Sequence, residues 1–223
     1  MVVSRETPGP APQLPDWLLP HSAALTTFAE LLADAGVSRG LIGPREVPRL
    51  WGRHLLNCAV VADPAIDLVP SGARIGDVGS GAGLPGLVWA ICRPDVRVVM
   101  IEPLLRRSTF LSEAIASLDL GGRAEVWRGR AEEAVGAPAA SGFEVVTARA
   151  VAPLDRLIGW TVPLLASGGR LVAFKGANAA QELAQSAGSG AAAGLSDLRV
   201  MEVGHGFVDP ATTVITGTRG AAQ

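Results

Sequence analysis

A run of glycines between two apolar stretches constrains this chain more than any other feature. Residues 74–102 open on a short apolar segment carrying Asp77, pass Gly79, Gly81, Gly83 and Gly86, and enter an apolar helical pattern. They finish on a second apolar segment closed by Glu102. Strand, glycine turn, helix and strand make one βαβ unit of a sheet that binds nucleotide-type ligands. Glycines at such a turn allow sharp backbone conformations and leave no Cβ between main chain and ligand. The following helix offers N–H groups unpaired within it, and the positive end of its dipole, to a carboxylate or phosphate. Pro85 fits the first helical turn, where a missing N–H costs nothing. Glu102, at the carboxyl end of the second strand, is placed to accept the two hydroxyls of a ribose.

The glycines do not choose the ligand by themselves. Gly81, Gly83 and Gly86 also match the dinucleotide pattern G-x-G-x-x-G. Asp77 tips the balance: Asp-x-Gly-x-Gly-x-Gly resembles the first motif of the class I S-adenosylmethionine methyltransferases. A glycine turn without a ligand is the plainer alternative, but four glycines in eight residues would weaken a helix start for no return.

Composition narrows the field. The 223 residues suit one moderate domain with an extension, and 48% hydrophobic content is ample for a core. The formal charge of −2 gives no global basic field, so a nucleic-acid partner has to be held by a local patch. Lys175 is the only lysine beside many arginines, and tyrosine is absent. Arginine suits bidentate phosphate contacts, while stacking platforms for single-stranded RNA are scarce. Cys58 and Cys92 lie in apolar helical surroundings and read as buried free thiols. The three histidines, His21, His54 and His205, are scattered, so no metal is expected. No signal peptide or membrane span is read, which predicts a cytoplasmic protein.

Along the chain, residues 1–20 carry five prolines and read as a mobile tail, docked at its end by Trp17. Residues 21–71 read as a helical cap of two helices, 22–36 and 44–62. Residues 72–219 alternate strand and helix, then close with a hairpin of strands 199–203 and 212–216. A mostly parallel sheet with helices on both faces and one antiparallel strand near the end follows.

On the second helix lies Arg53-His54-Leu55-Leu56-Asn57, ahead of Asp-Val-Gly-Ser-Gly-Ala-Gly-Leu-Pro-Gly. Together these resemble the glucose-inhibited division protein B family of bacterial small-subunit rRNA guanine-N7 methyltransferases. The continuation Leu84-Pro85-Gly86 is much more specific than the glycines. Asn57-Cys58 stands where many members carry Asp-Ser. Ala131-Glu132, the Ala-Arg149-Ala step after the fourth strand and Phe174-Lys175-Gly176 match the family too.

The resemblance implies a class I α/β (Rossmann-like) fold with a seven-stranded sheet, its last strand antiparallel. It implies S-adenosyl-L-methionine as cofactor, held by Asp77, Gly79, Gly81, Gly83, Leu84, Glu102, Ala131, Glu132 and Arg149. The implied partner is 16S rRNA or the small ribosomal subunit or its precursor, methylated at guanine-527, with a monomer expected. Arg149 and Lys175, cations at strand ends, are the catalytic candidates through position and charge. Arg53, His54, Arg106, Arg107 and Lys175 are the RNA-binding candidates. Arg106 and Arg107 oppose the dipole of the helix they open, which hints at a job beyond folding.

Absences in the sequence shape the chemistry. No cysteine is placed as the nucleophile a cytosine-C5 transfer needs. The segment Thr147-Ala148-Arg149-Ala150-Val151 replaces the Asn/Asp-Pro-Pro-aromatic motif of exocyclic-amine transfer. Guanine N7 has a lone pair and no proton to lose, so its methylation needs position and field rather than a general base. A methyltransferase for an acidic small molecule or a protein stays open on these residues. A nicotinamide oxidoreductase keeps the glycines but lacks a catalytic Tyr, Ser–Lys or His–Asp set.

Overall fold

A computed structural model describes residues 7–221. Seven strands form one sheet: β1 (Arg74–Val78), β2 (Arg97–Ile101), β3 (Ala124–Trp127), β4 (Phe143–Arg149), β5 (Leu165–Lys175), β6 (Leu195–Val203) and β7 (Thr212–Arg219). Their order is β3-β2-β1-β4-β5-β7-β6. Neighbours from β3 to β5 are parallel, and β7 runs antiparallel to both β5 and β6. The expected sheet, with one reversed strand at the end of the chain, is borne out. Its strand order reverses between β1 and β4, where ligands bind in doubly wound sheets. Val78, Ile101 and Arg149 end their strands at that crevice.

Apolar runs such as Val98 to Ile101 and Val145-Val146 are buried because helices cover both faces. On one face lie α3 (Gly86–Cys92) and α4 (Leu105–Ser117). On the other lie α5 (Ala131–Ala134), α6 (Leu154–Thr161) and α7 (Ala179–Ala192). Both strands of the expected hairpin are longer than read, because past a register shift Ser196 pairs with Thr218 and Leu195 with Arg219. Gly188 and Gly190 do not interrupt α7. Gly190 instead admits Leu198, whose side chain would collide with any Cβ there.

The N-terminal layer packs against the α3 face. A 3-10 turn (Asp16–His21) leads into α1 (Ser22–Leu31) and a π turn (Leu32–Gly36). Next come a 3-10 turn (Pro44–Arg49), a π segment (Leu50–Leu56), α2 (Asn57–Ala59) and another 3-10 turn (Val60–Ala62). One regular helix was expected over 44–62. Pro48 has no N–H to give, so the ladder changes width around it. Of the expected tail at 1–20, residues 1–6 lie outside the described residues. Leu14 and Leu18, rather than Trp17 alone, anchor its end, and Leu18 is fully buried. Leu18, Leu25 and Phe28 share one buried cluster with Trp89 of α3 and Val145 of β4.

Polar bonds fasten the layer as well. Trp89 Nε1 donates to Cys58 O at 2.9 Å. Buried Arg93 donates to Ala62 O at 3.1 Å and Val69 O at 2.9 Å, while Asp95 accepts from its other edge at 2.7 Å. Arg93 holds the Asp95 carboxyl well below the usual carboxylate range. Among the described residues, no helix is long and apolar enough to cross a membrane.

Candidate active site

The glycine turn opens a cleft of about 580 Å³ over the carboxyl ends of β1 and β2. Gly79, Gly81, Leu84, Glu102, Ala131, Glu132 and Arg149 line it, as do Arg107 and His54. Gly81 has φ +56°, and a Cβ on it would touch only Gly79 O, at an ordinary 3.8 Å. A bare main chain therefore faces the cleft. Glu102 is 1% exposed, yet its carboxylate edges the cavity. Its Oε2 accepts from Gly81 N at 3.0 Å and its Oε1 from Leu104 N at 3.0 Å. Each oxygen keeps a further lone pair for a ligand hydroxyl. Arg107 approaches the same carboxylate at 3.8 Å, which offsets the dipole cost noted in the sequence.

Asp77 and Gly83 do not line the cleft. Asp77 is fully buried beneath the turn, where Oδ2 accepts from Gly86 N at 3.0 Å and Oδ1 has no partner. A Cβ on Gly86 would sit 2.6 Å from that Oδ2, so the helix can approach the carboxyl only through glycine. Burial pushes the Asp77 carboxyl up to about 7. The expected helix N-terminus is thus partly occupied: α3 starts at Gly86, one residue after Pro85, and its first N–H belongs to Asp77.

Arg149, at the end of β4, is a junction. It lines the glycine cleft and also a second, larger groove of about 1620 Å³. One terminal nitrogen, Nη1, donates to Cys58 Sγ at 3.0 Å. The other, Nη2, donates to Arg53 O at 3.0 Å and lies 3.2 Å from His54 Nδ1. His54 Nε2 lies 2.9 Å from Glu46 Oε2. Burial holds the His54 pKa below its ordinary value, although Glu46 pulls it up. Burial also raises the Cys58 thiol, against Arg149, so Cys58 is a neutral neighbour and not a nucleophile.

The groove runs between the Pro44–Ala59 part of the N-terminal layer, the segment after β4, and the loop joining β6 to β7. Arg53 lies in its wall, 61% exposed. Lys175 lines it too, but its side chain is only 6% exposed. Lys175 Nζ donates to Glu182 Oε2 at 2.7 Å and to Ala152 O at 3.0 Å. Glu182 Oε2 also accepts from Leu154 N at 3.1 Å. Ala150, inside the loop so held, has φ +55°, a left-handed conformation that only its surroundings maintain. Lys175 thus braces the loop that follows Arg149. Arg106 is exposed on the first turn of α4 and lines neither cavity.

Sequence reasoning missed Glu46, Glu182 and the exposed groove residue Arg49. None sits in a motif. Glu46 reaches His54 across a change from 3-10 to π geometry, which no single helical period describes. Among the described residues, no three His, Cys, Asp or Glu side chains group as a metal site.

Solved structures with this fold include a cofactor-bound protein from MTB, at TM-score 0.57 and 18% identity over 91% of each chain. A SAM-dependent O-methyltransferase from Thermotoga maritima has TM-score 0.56 and 17% identity over 75% of this chain and 66% of its own. The fold, with its glycine cleft at the strand switch, is that of the class I S-adenosylmethionine methyltransferases. The family described as rRNA small subunit methyltransferase G matches residues 21–208. A protein called ribosomal RNA small subunit methyltransferase G in Mycolicibacterium gilvum is 50% identical over 217 residues, 97% of this chain and 93% of its own. One so called in Thermobifida fusca is 56% identical over 191 residues, 86% and 77% of the two chains. The chain belongs to the rRNA small subunit methyltransferase G family.

Proposed function

We propose that this protein transfers a methyl group from S-adenosylmethionine to N7 of one guanine of 16S rRNA, guanine-527 by family resemblance. It would act in the cytoplasm as a monomer. The observation that carries this reading is Arg149, which stands where the glycine cleft and the larger groove meet. A group in the cleft and a base in the groove would approach each other beside that guanidinium.

The residues of the cleft fit the cofactor. Gly81 offers a bare backbone, Glu102 offers carboxylate lone pairs for ribose hydroxyls, and Leu84, Ile101 and Ala131 offer apolar walls for a ring. Bound there, S-adenosylmethionine supplies an electrophilic methyl carbon on a cationic sulfur. The protein's own contribution is placement. Guanine N7 attacks with its lone pair and releases no proton, so the site needs no base, and the neutral Cys58 and His54 beside Arg149 match that need. Arg149 can donate to guanine O6 while leaving N7 free to react. Glu102 would act on affinity and Arg149 on rate. Lys175 would act through the loop at Ala150 rather than on the base.

The test is methyl incorporation into 16S rRNA and into small subunits, against cell protein and metabolites, by wild type and Arg149→Ala. Incorporation at a guanine N7, lost at least about 100-fold in the variant, is expected if an oriented donor to the reacting base is removed. Wild-type rate in Arg149→Ala would place the reaction elsewhere.

A further inference from the structure

Glu46 lines neither cavity, yet only His54 stands between it and the residue at their junction. We infer that Glu46 is a positioning residue: through His54 it fixes where the Arg149 guanidinium sits between the cleft and the groove. The inference rests on the reading of Arg149 given above and assigns its orientation to a second carboxylate.

Hydrogen-bond polarity carries it. A guanidinium can only donate, so the His54 Nδ1 at 3.2 Å from Arg149 is the acceptor. The imidazole proton then sits on Nε2, 2.9 Å from the Glu46 carboxylate, which can only accept while ionised. One neutral tautomer satisfies both neighbours. The other tautomer turns an N–H toward the guanidinium and a lone pair toward the carboxylate, and loses both bonds. Protonated His54 would place an N–H against Arg149, donor against donor and cation against cation.

The surroundings favour the neutral ring. Arg149 on β4 and Arg53 on the same helical segment both disfavour its charge, and Glu46 on the preceding 3-10 turn favours it. Cys58, one turn further on, is a neutral thiol beside Arg149. Arg49 and Arg53 keep Glu46 ionised, with the His54 bond foremost. Carboxylate, imidazole and guanidinium thus form a relay of orientation with no net proton movement.

The experiment is single-turnover methylation of 16S rRNA from about pH 5 to about pH 8, across the range where a histidine titrates. Wild type, Glu46→Gln, Glu46→Ala and His54→Asn are compared. The wild-type rate should fall on the acid side, at a pH below the ordinary histidine value. His54→Asn presents an amide oxygen near the Nδ1 position and cannot titrate, so its acid limb should vanish. Glu46→Gln keeps an acceptor for Nε2–H without the anion, so its limb should move to lower pH. Glu46→Ala should slow the step about tenfold, as expected for losing one oriented bond to a charged group, and Glu46→Gln should recover most of that. Glu46 is 30% exposed, so its variants are expected to fold and to decide the matter even if His54→Asn does not. A purely structural Glu46 would move melting temperature but not the pH limb. Wild-type rate in Glu46→Ala, no acid limb in the wild type, or a limb unmoved by Glu46→Gln overturns the inference. If Arg149→Ala is also fully active, the reading of Arg149 has failed instead.

Discussion

The two cavities that meet at Arg149 are built in opposite ways. The floor of the glycine cleft is the backbone turn between β1 and α3, within one βαβ unit, with Glu102 and Asp77 bracing it and residues from other strand ends completing its walls. The groove is made of side chains from segments more than 150 residues apart, such as Asn57 and Thr212, joined by a bond of 3.1 Å. In the cleft, the carboxylate keeps lone pairs open to a ligand. In the groove, Lys175 is already satisfied by Glu182, and Arg53 stands 3.7 Å from Glu46. Counting cations at strand ends therefore overstates how many are available to RNA. A site formed from backbone is stated by its sequence, whereas a site formed from side chains depends on who their neighbours are.

The largest effect should come from putting a side chain on the bare backbone. Gly81→Asp adds a carboxylate where the cleft is open, at a φ of +56° that aspartate tolerates better than most residues. Cofactor affinity in a calorimetric titration should drop by about 100-fold or more, with a folding loss of only about 1 kcal/mol. Retained affinity would break the contrast by showing that the bare main chain is not the cofactor's seat.

A middle-sized effect is expected at Lys175. Lys175→Met removes the partner of Glu182 and the clamp on Ala152, so it should lower stability by about 1–3 kcal/mol. In denaturant titrations this loss should appear while the salt dependence of RNA binding stays close to wild type. A clear drop in that dependence with stability intact would mean that Lys175 leaves Glu182 for phosphate, and the groove would then resemble the reading made from sequence.

The smallest effect belongs to the outer cations. Arg106→Ala and Arg49→Ala should each lower the slope of log RNA affinity against log salt by roughly 0.7–0.9, with cofactor affinity unchanged. An unchanged slope for Arg106, which lines neither cavity, would confine the RNA to the groove side.

Legibility in the sequence follows the same division. The alternation of strand and helix and the reversed strand near the end were readable because apolar runs and Gly-rich turns are local signals, whereas the strand order appears only in the structure. Residues of the turn were readable as one group, but not which of them touch the cavity: Gly81 faces it, whereas Asp77 and Gly83 lie beneath. That distinction depends on a helix packing down onto a carboxyl, which spacing alone does not encode. Arg149 was legible as a cation at a strand end. Its ties to Cys58, Arg53 and His54 were not, because they depend on how the N-terminal layer lies across β4. Glu46 and Glu182 were invisible for the same reason.

The antiparallel β7 has a consequence for how the molecule comes into being. Because β7 starts at the edge where β6 ends, the loop between them, down to Thr213, closes the far side of the groove. A ribosome making this chain releases every residue that lines the glycine cleft by Trp160, but not the groove's last wall until about fifty residues later. A nascent chain of that length therefore carries every residue of the glycine cleft while β5 beside β4 and the groove's closing wall are still to come. The loop that walls the groove is the last part of the site that the growing polypeptide supplies.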